Sequence, residues 1–110
     1  MASQINTFKT VTANVTTLNT LVYTAPFNIT AIILMAQCTN VTDNRHNVSF
    51  SHVSGANRTE LLKNYAVLKN DAVGLLTGKL IVEQNNSVEI SASSNNSLKL
   101  TMSVLESTNA

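Results

Sequence analysis

The sequence has no tryptophan, one proline, one cysteine and three glycines in 110 residues, and only 12% of it is charged. Each shortage removes a class of protein. A lone Cys38 forbids an intrachain disulfide, and the start Met1-Ala2-Ser3-Gln4 has neither the basic stretch nor the apolar run of a secretion signal. The expectation is synthesis in a cytoplasm without export. The longest apolar stretch, Ile29 to Cys38, is interrupted by Thr30 and Gln37 and is too short to span a bilayer, so no membrane partner is expected. Seven Lys plus Arg against six Asp plus Glu leave a net charge of +1 with no basic cluster, which removes the electrostatic footprint of a nucleic-acid binder. Two Tyr and three Phe supply no stacking platform for bases or sugars.

What the chain has instead is neutral polarity. Fifteen Asn, 14 Thr and 11 Ser make 40 of the 110 residues. Interface cores are depleted in charge, so such a surface suits burial against neighbours, although the codon bias of an AT-rich genome gives the same composition. Asn-x-Ser/Thr occurs at Asn14, Asn28, Asn40, Asn47, Asn57, Asn85 and Asn95. Without a secretion signal these triplets follow from composition and are not glycan sites.

The length fits one domain with a modest core. Asn-rich turn signals recur about every ten residues, and the segments between them are β-branched and alternating, with no 3.6-residue period. Strands are expected near 8–15, 18–24, 29–41, 48–53, 60–67, 78–83, 88–93 and 98–106. About eight short antiparallel strands give an all-β fold, a sandwich of immunoglobulin-like or jelly-roll-like type. Residues 8–107 form that single domain, with an N-terminal arm at 1–7 and a C-terminal tail at 108–110.

Apolar alternation places Leu98, Leu100, Met102 and Val104 on one face with Val88, Ile90 and Ala92. Pairing Leu98 with Ala92 and Leu80 with Ile90 closes two three-residue hairpins at Ser94-Asn95-Asn96 and Gln84-Asn85-Asn86, and so predicts a three-stranded meander. Its other face would line up Lys79, Ser91 and Lys99 beside Glu89, with Ile81 and Leu105 as either partner contacts or covered residues. Residues 29–38 alternate poorly, as in a strand covered on both faces, which implies cover from the N-terminal segment or a second subunit.

No catalytic signature emerges. His46, His52, Asp43 and Cys38 are the right atom types for zinc, but their spacing matches no compact ligand motif. No G-x-S-x-G is present, the six carboxylates are scattered, and Gly74 and Gly78 lack the Lys-Ser/Thr of a phosphate loop. Neither an enzyme nor a bound cofactor is expected. Leu75 and Leu76, between polar turns, form either a cap on one end of the sandwich or an exposed knob for a neighbouring subunit.

The stretch from Thr59 to Ser107 carries Thr59-Glu60-Leu61, then Asn70-Asp71-Ala72, Gly74, Gly78-Lys79-Leu80 and Glu83, and ends in Leu98-Lys99-Leu100-Thr101. With Tyr23-Thr24-Ala25-Pro26, Thr30-Ala31-Ile32 and Met35-Ala36-Gln37 upstream, it resembles a family of small virion structural proteins of marine tailed bacteriophages, especially cyanophages. These patterns carry a fold and no catalytic signature. The resemblance implies a non-enzymatic virion component, a capsid decoration or a neck or tail accessory protein. Its partners would be other copies of itself and the major capsid or neck and tail proteins. Gln4, Ile5 and Phe8 in the N-terminal segment and Leu75 and Leu76 at the loop tip are the candidate subunit contacts. The competing reading is a particle-displayed module that binds a host glycan or receptor through Asn85-Asn86 and Asn95-Asn96.

Overall fold

The structure, a computed structural model, describes residues 5–109. Its strands are β1 (Asn6–Asn14), β2 (Thr20–Thr24), β3 (Ile29–Asn40), β4 (His46–Ser54), β5 (Asn57–Val67), β6 (Ala72–Gly74), β7 (Leu80–Val82), β8 (Ser87–Ala92) and β9 (Leu98–Thr108). No helix occurs among the described residues. One sheet, A, has the order β1-β9-β3-β6 with β7 also on β3, and the other, B, has the order β2-β8-β4-β5. Every pairing is antiparallel.

The order follows from nested pairing. β4 pairs with β5, β3 with β6 and β7, β2 with β8, and β1 with β9, so the chain is one long hairpin. Wrapping that hairpin brings β9 against β3 and β8 against β4 and closes the two sheets over each other. This is the jelly-roll winding, with β6 and β7 as two halves of one interrupted strand. Of the two sandwich types that the sequence leaves open, the chain adopts this one.

The three-stranded meander does not form. Leu80 and Val82 face Ile33 and Ala31, Ile90 faces Phe50 and Thr20, and Leu98 faces Asn40. The connections 83–86 and 93–97 therefore cross from one sheet to the other. Alternation assigned the right side of each strand to the core, since Val82, Val88, Ile90, Leu98, Leu100, Met102 and Val104 are all buried. In a sandwich both inner faces read alike, so alternation alone cannot say which sheet a strand joins. The expected charge row dissolves as well. Glu89 is buried beside Arg58 of β5, and Lys99 donates to Asn14 Oδ1 at 2.6 Å.

Within the chain, β3 is covered on one face only. Ile33 lies opposite Val104 and Met35 opposite Ser103, so Leu34 is an extra residue, a β-bulge. The bulge shifts the phase by one: Ala31 and Ile33 point inward before it, Ala36, Cys38 and Asn40 after it, and Met35 is left outside. The irregular alternation follows from this shift. The bulge lies where β6 and β7 part, and there Leu75 N–H donates to Ala36 O at 2.9 Å. Leu75 is thereby drawn into the core and is no exposed knob, while Leu76 packs half-buried beside it.

The described parts of the expected arms are strand or strand-bound, and residues 1–4 and 110 lie outside the described residues. Asn6 and Thr7 belong to β1, Thr108 belongs to β9, and Ile5 is held there through its N–H to Thr108 Oγ1 at 2.9 Å. Gln4 lies outside the described residues.

Asparagine does work that glycine does elsewhere. Asn28, Asn64, Asn70, Asn85 and Asn96 all adopt positive φ, and Gly55 is the single glycine that does. Asn tolerates this region because its short polar side chain can bond locally. Asn40 has a different role. Fully buried at the end of β3, it donates from Nδ2 to Asn44 O at 2.7 Å and Val67 O at 3.0 Å. Its Oδ1 accepts from the Thr42 N–H at 2.9 Å and from Thr42 Oγ1 at 2.7 Å. One amide thus fastens sheet A, the loop at 41–45 and the end of β5. Asn40→Ala leaves buried groups unpaired at roughly 1–3 kcal/mol each. We expect a loss of at least about 2 kcal/mol in urea unfolding, with an unchanged m-value.

Candidate functional site

The outward side of sheet A carries a row of apolar residues that crosses four strands. Phe8 of β1 faces Leu105 of β9, Leu105 faces Ile32 of β3, and Ile32 faces Ile81 of β7. Their chain neighbours Ala31, Ile33, Val82, Val104 and Glu106 are buried, so the four point away from the core. Phe8 is 74% exposed and Ile81 60%, while Leu105 and Ile32 are half-buried between them. A single exposed apolar residue is unremarkable, but four in register make a continuous strip.

The neighbouring rows on β1, β9 and β3 are uncharged, while Lys79 and Glu83 flank Ile81 just outside β7. Asn6, Ser107 and Thr30 form the next row on one side, and Thr10, Ser103 and the bulge residue's neighbour Met35 form the next on the other. The strand charge on this face is Lys99, six residues along β9 from Leu105, or about 20 Å. The charges of sheet B are gathered on its far edge and outer side, at Arg58, Glu60, Lys63 and Glu89.

The sequence-derived contact residues are thus only partly together. Phe8 is in the strip, Ile5 is exposed just before β1, and Leu75 and Leu76 are core or near-core residues at the opposite edge of the sheet. Ile32 was missed, because a bulged strand looks two-sided. Ile81 and Leu105 did share an outer face by alternation. What joins them to Phe8 is long-range pairing through β9 and β3, which leaves no local signal.

Ionisable groups inside the sandwich act as clasps. Tyr23 reaches from sheet B to donate its hydroxyl to Glu106 Oε2, and Lys9 Nζ lies 3.0 Å from Glu106 Oε1. Burial pushes the Glu106 carboxyl up, but the Tyr23 hydrogen bond and the bond and charge of Lys9 outweigh it and hold the carboxyl below its usual range. The Tyr23 phenol is raised, first by burial and then by its bond to the carboxylate. Cys38 is buried on the inner face of β3, and burial pushes its thiol up to about 11. Among the described residues no three His, Cys, Asp or Glu gather as a metal site requires. Nor is any helix among them long and apolar enough to cross a membrane. The Asn85-Asn86 and Asn95-Asn96 turns lie at opposite ends of β8 and do not converge. Asn95 Oδ1 is occupied by the Thr17 N–H at 2.8 Å.

No protein-family model matches the chain, and no curated protein is significantly similar to it. Solved structures share its fold. A structure described as Bacillus endospore appendages forming a novel family of disulfide-linked pili aligns at TM-score 0.60 and 12% identity, over 98% of this chain and 90% of that one. A structure of the T13 IBDV viral particle aligns at TM-score 0.55 and 8% identity, over 94% of this chain but only 31% of that one. At these identities the likeness is one of fold.

The clasp generates a pH dependence of known sign. The depressed Glu106 stabilises the fold above the ordinary carboxyl value of 4.5, and this contribution is lost as pH falls through the folded value. The raised Tyr23 contributes below its ordinary value of 10.0 and loses that contribution as pH rises past it. Tyr23→Phe removes a hydrogen bond to a charged group, worth about 1.5–3 kcal/mol at neutral pH. Urea titrations are expected to show that loss at neutral pH and to show it shrinking as pH falls, because without the Tyr23 bond Glu106 is less depressed and the variant's stability depends less on acid.

Proposed function

We propose that this chain is a non-enzymatic structural subunit of a tailed-bacteriophage virion. It acts as a capsid decoration or a neck or tail accessory protein, and docks on the larger shell or tube protein through the outer side of sheet A. The observation that carries the reading is the Phe8–Leu105–Ile32–Ile81 strip on a face with few charged residues. Interface cores have this composition, apolar at the centre, neutral around it and depleted in ions. The sequence resemblance to small phage virion proteins supports the reading. So does a fold shared with subunits of a pilus and a viral particle. A weak contact repeated over many copies holds firmly through multivalency, so one strip per subunit suffices.

Quantitative mass spectrometry of purified particles tests the proposal. The chain is expected at a fixed ratio to the major shell protein: hundreds of copies for decoration, a few dozen for neck or tail. Ile81→Asp places a charge in the strip at an exposed site and should reduce incorporation at least roughly tenfold with the melting temperature unchanged. Absence of the wild-type chain from particles overturns the reading.

A further inference from the structure

We propose that two copies of this chain join edge to edge through β1, antiparallel, about a two-fold axis at Thr10. The inference rests on the reading of the chain as an assembly subunit but uses a surface other than the apolar strip, so the two fail separately.

A sheet edge is a row of unpaired amides and carbonyls, and stable proteins normally blunt it by shortness, bulges, charge or proline. Three of the four edges here are blunted. The far edge of sheet A is divided between the three-residue strands β6 and β7. β2 has five residues and a register shift between Leu21 and Tyr23. β5 has two irregularities in its pairing and carries Arg58, Glu60 and Lys63. β1 has none of these protections. Its nine residues contain no Pro or Gly and pair with β9 without interruption.

The backbone parity of this edge is fixed. Thr108 N–H donates to Ile5 O at 3.1 Å and Val15 N–H to Leu98 O at 3.0 Å, so the odd residues of β1 bond to β9. In an antiparallel ladder the alternate residues then direct their N–H and C=O away from β9. Asn6, Phe8, Thr10, Thr12 and Asn14 therefore present their backbone groups to the open edge, while their side chains share the outer face.

The sequence of β1 makes a second copy a suitable occupant. Pairing of even with even residues is required, and complete overlap of the nine residues puts Thr10 opposite Thr10, Phe8 opposite Thr12 and Asn6 opposite Asn14. On the other face Lys9 then lies opposite Val11. A register shifted by two residues would set Lys9 against Lys9, and like charges directly opposite are unfavourable. Lys9 does not guard the edge, because its ammonium is drawn back over its own sheet to Glu106 at 3.0 Å. The two-fold axis stands perpendicular to the sheet, so both outer faces look the same way.

Parity also supplies the test. The Thr10 N–H makes no bond to β9, so Thr10→Pro removes only the donor meant for the partner, and proline is tolerated at such an edge position. Because the site repeats across the axis, both central hydrogen bonds disappear, and the dimer constant should weaken at least about tenfold. Light scattering over a concentration series should give a dimer, or multiples of it, for the wild type, and a monomer for Thr10→Pro with an unchanged circular dichroism spectrum. A second arm does not depend on that variant folding. Thr10→Cys places the two Cα atoms about 5.5 Å apart and should be joined by oxidation or a short bifunctional thiol reagent. Phe8→Cys sets them about 14 Å apart and should not be joined. A folded Thr10→Pro with the wild-type mass overturns the proposal. So does crosslinking of Phe8→Cys as efficient as that of Thr10→Cys, or a monomeric wild type whose Thr10→Cys form does not crosslink. Ile81→Asp should leave the dimer mass unchanged, which separates this edge from the docking strip.

Discussion

The pairing of β3 with β9 is the constraint on which the rest of the fold depends. These strands form the middle of sheet A, and between them they bury Ala31, Ile33, Ala36, Cys38, Leu98, Leu100, Met102 and Val104. Their contact is also the step that converts a long nested hairpin into two facing sheets. The Leu34 bulge lets twelve residues of β3 keep the core on one side while the strand bends. The same bend leaves a place where β6 and β7 separate and Leu75 turns inward to fill the end of the core. Removing the bulge would put Met35 and Gln37 where Ala36 and Cys38 now sit. The sandwich has no room there for an amide that lacks a partner.

Three buried polar side chains, two inside the sandwich and Glu89 on the outer side of sheet B, tie separate strands together. Glu106 links β9 to β1 and β2 through Lys9 and Tyr23, Glu89 links β8 to β5 through Arg58, and Asn40 joins the end of β3 to β5. A hydrophobic core with two similar inner faces specifies burial well and partner strand poorly. Buried groups with directional partners discriminate between alternatives that apolar packing treats alike. In this small chain they select which strand lies over which.

The sequence made the all-β class, every strand position but that of β6 and the inward side of most strands legible, because β-branched alternation and Asn turns are local signals. Pairing was not legible. Val88 and Leu98 alternate in the same sense, and only the three-dimensional winding assigns one to sheet B and the other to sheet A. The bulge was visible as broken alternation around Leu34, yet a strand covered twice gives the same pattern. Splitting of β6 from β7 had a trace in Gly74 and Gly78 flanking Leu75-Leu76-Thr77. Of the candidate surface, Phe8, Ile81 and Leu105 were each identifiable. Their union in one row needed β9 and β3 between them. Asparagine read both as turn signals and as neutral surface, and five of the fifteen residues occupy left-handed backbone positions in a chain with three glycines.

Charge is distributed in a way that fold stability does not require. Exposed lysines and carboxylates cost little anywhere on a surface, yet the outer side of sheet A has few, Lys99 and the Lys79 and Glu83 that flank β7, while sheet B collects them at its β5 edge. The unblunted β1 edge borders the neutral face, and the charged β5 edge borders the other. An edge pairing through β1 joins two neutral faces into one wider surface with two parallel apolar strips, without changing which side faces outward. A two-strip surface engages a repeating partner at two points, and the second contact then forms at the high effective concentration that the first creates. The same surface, left uncovered in an isolated copy, would be an aggregation hazard. On the proposed assembly, the free strand edge and the bare apolar strip of one sheet are the two halves of a single packing arrangement.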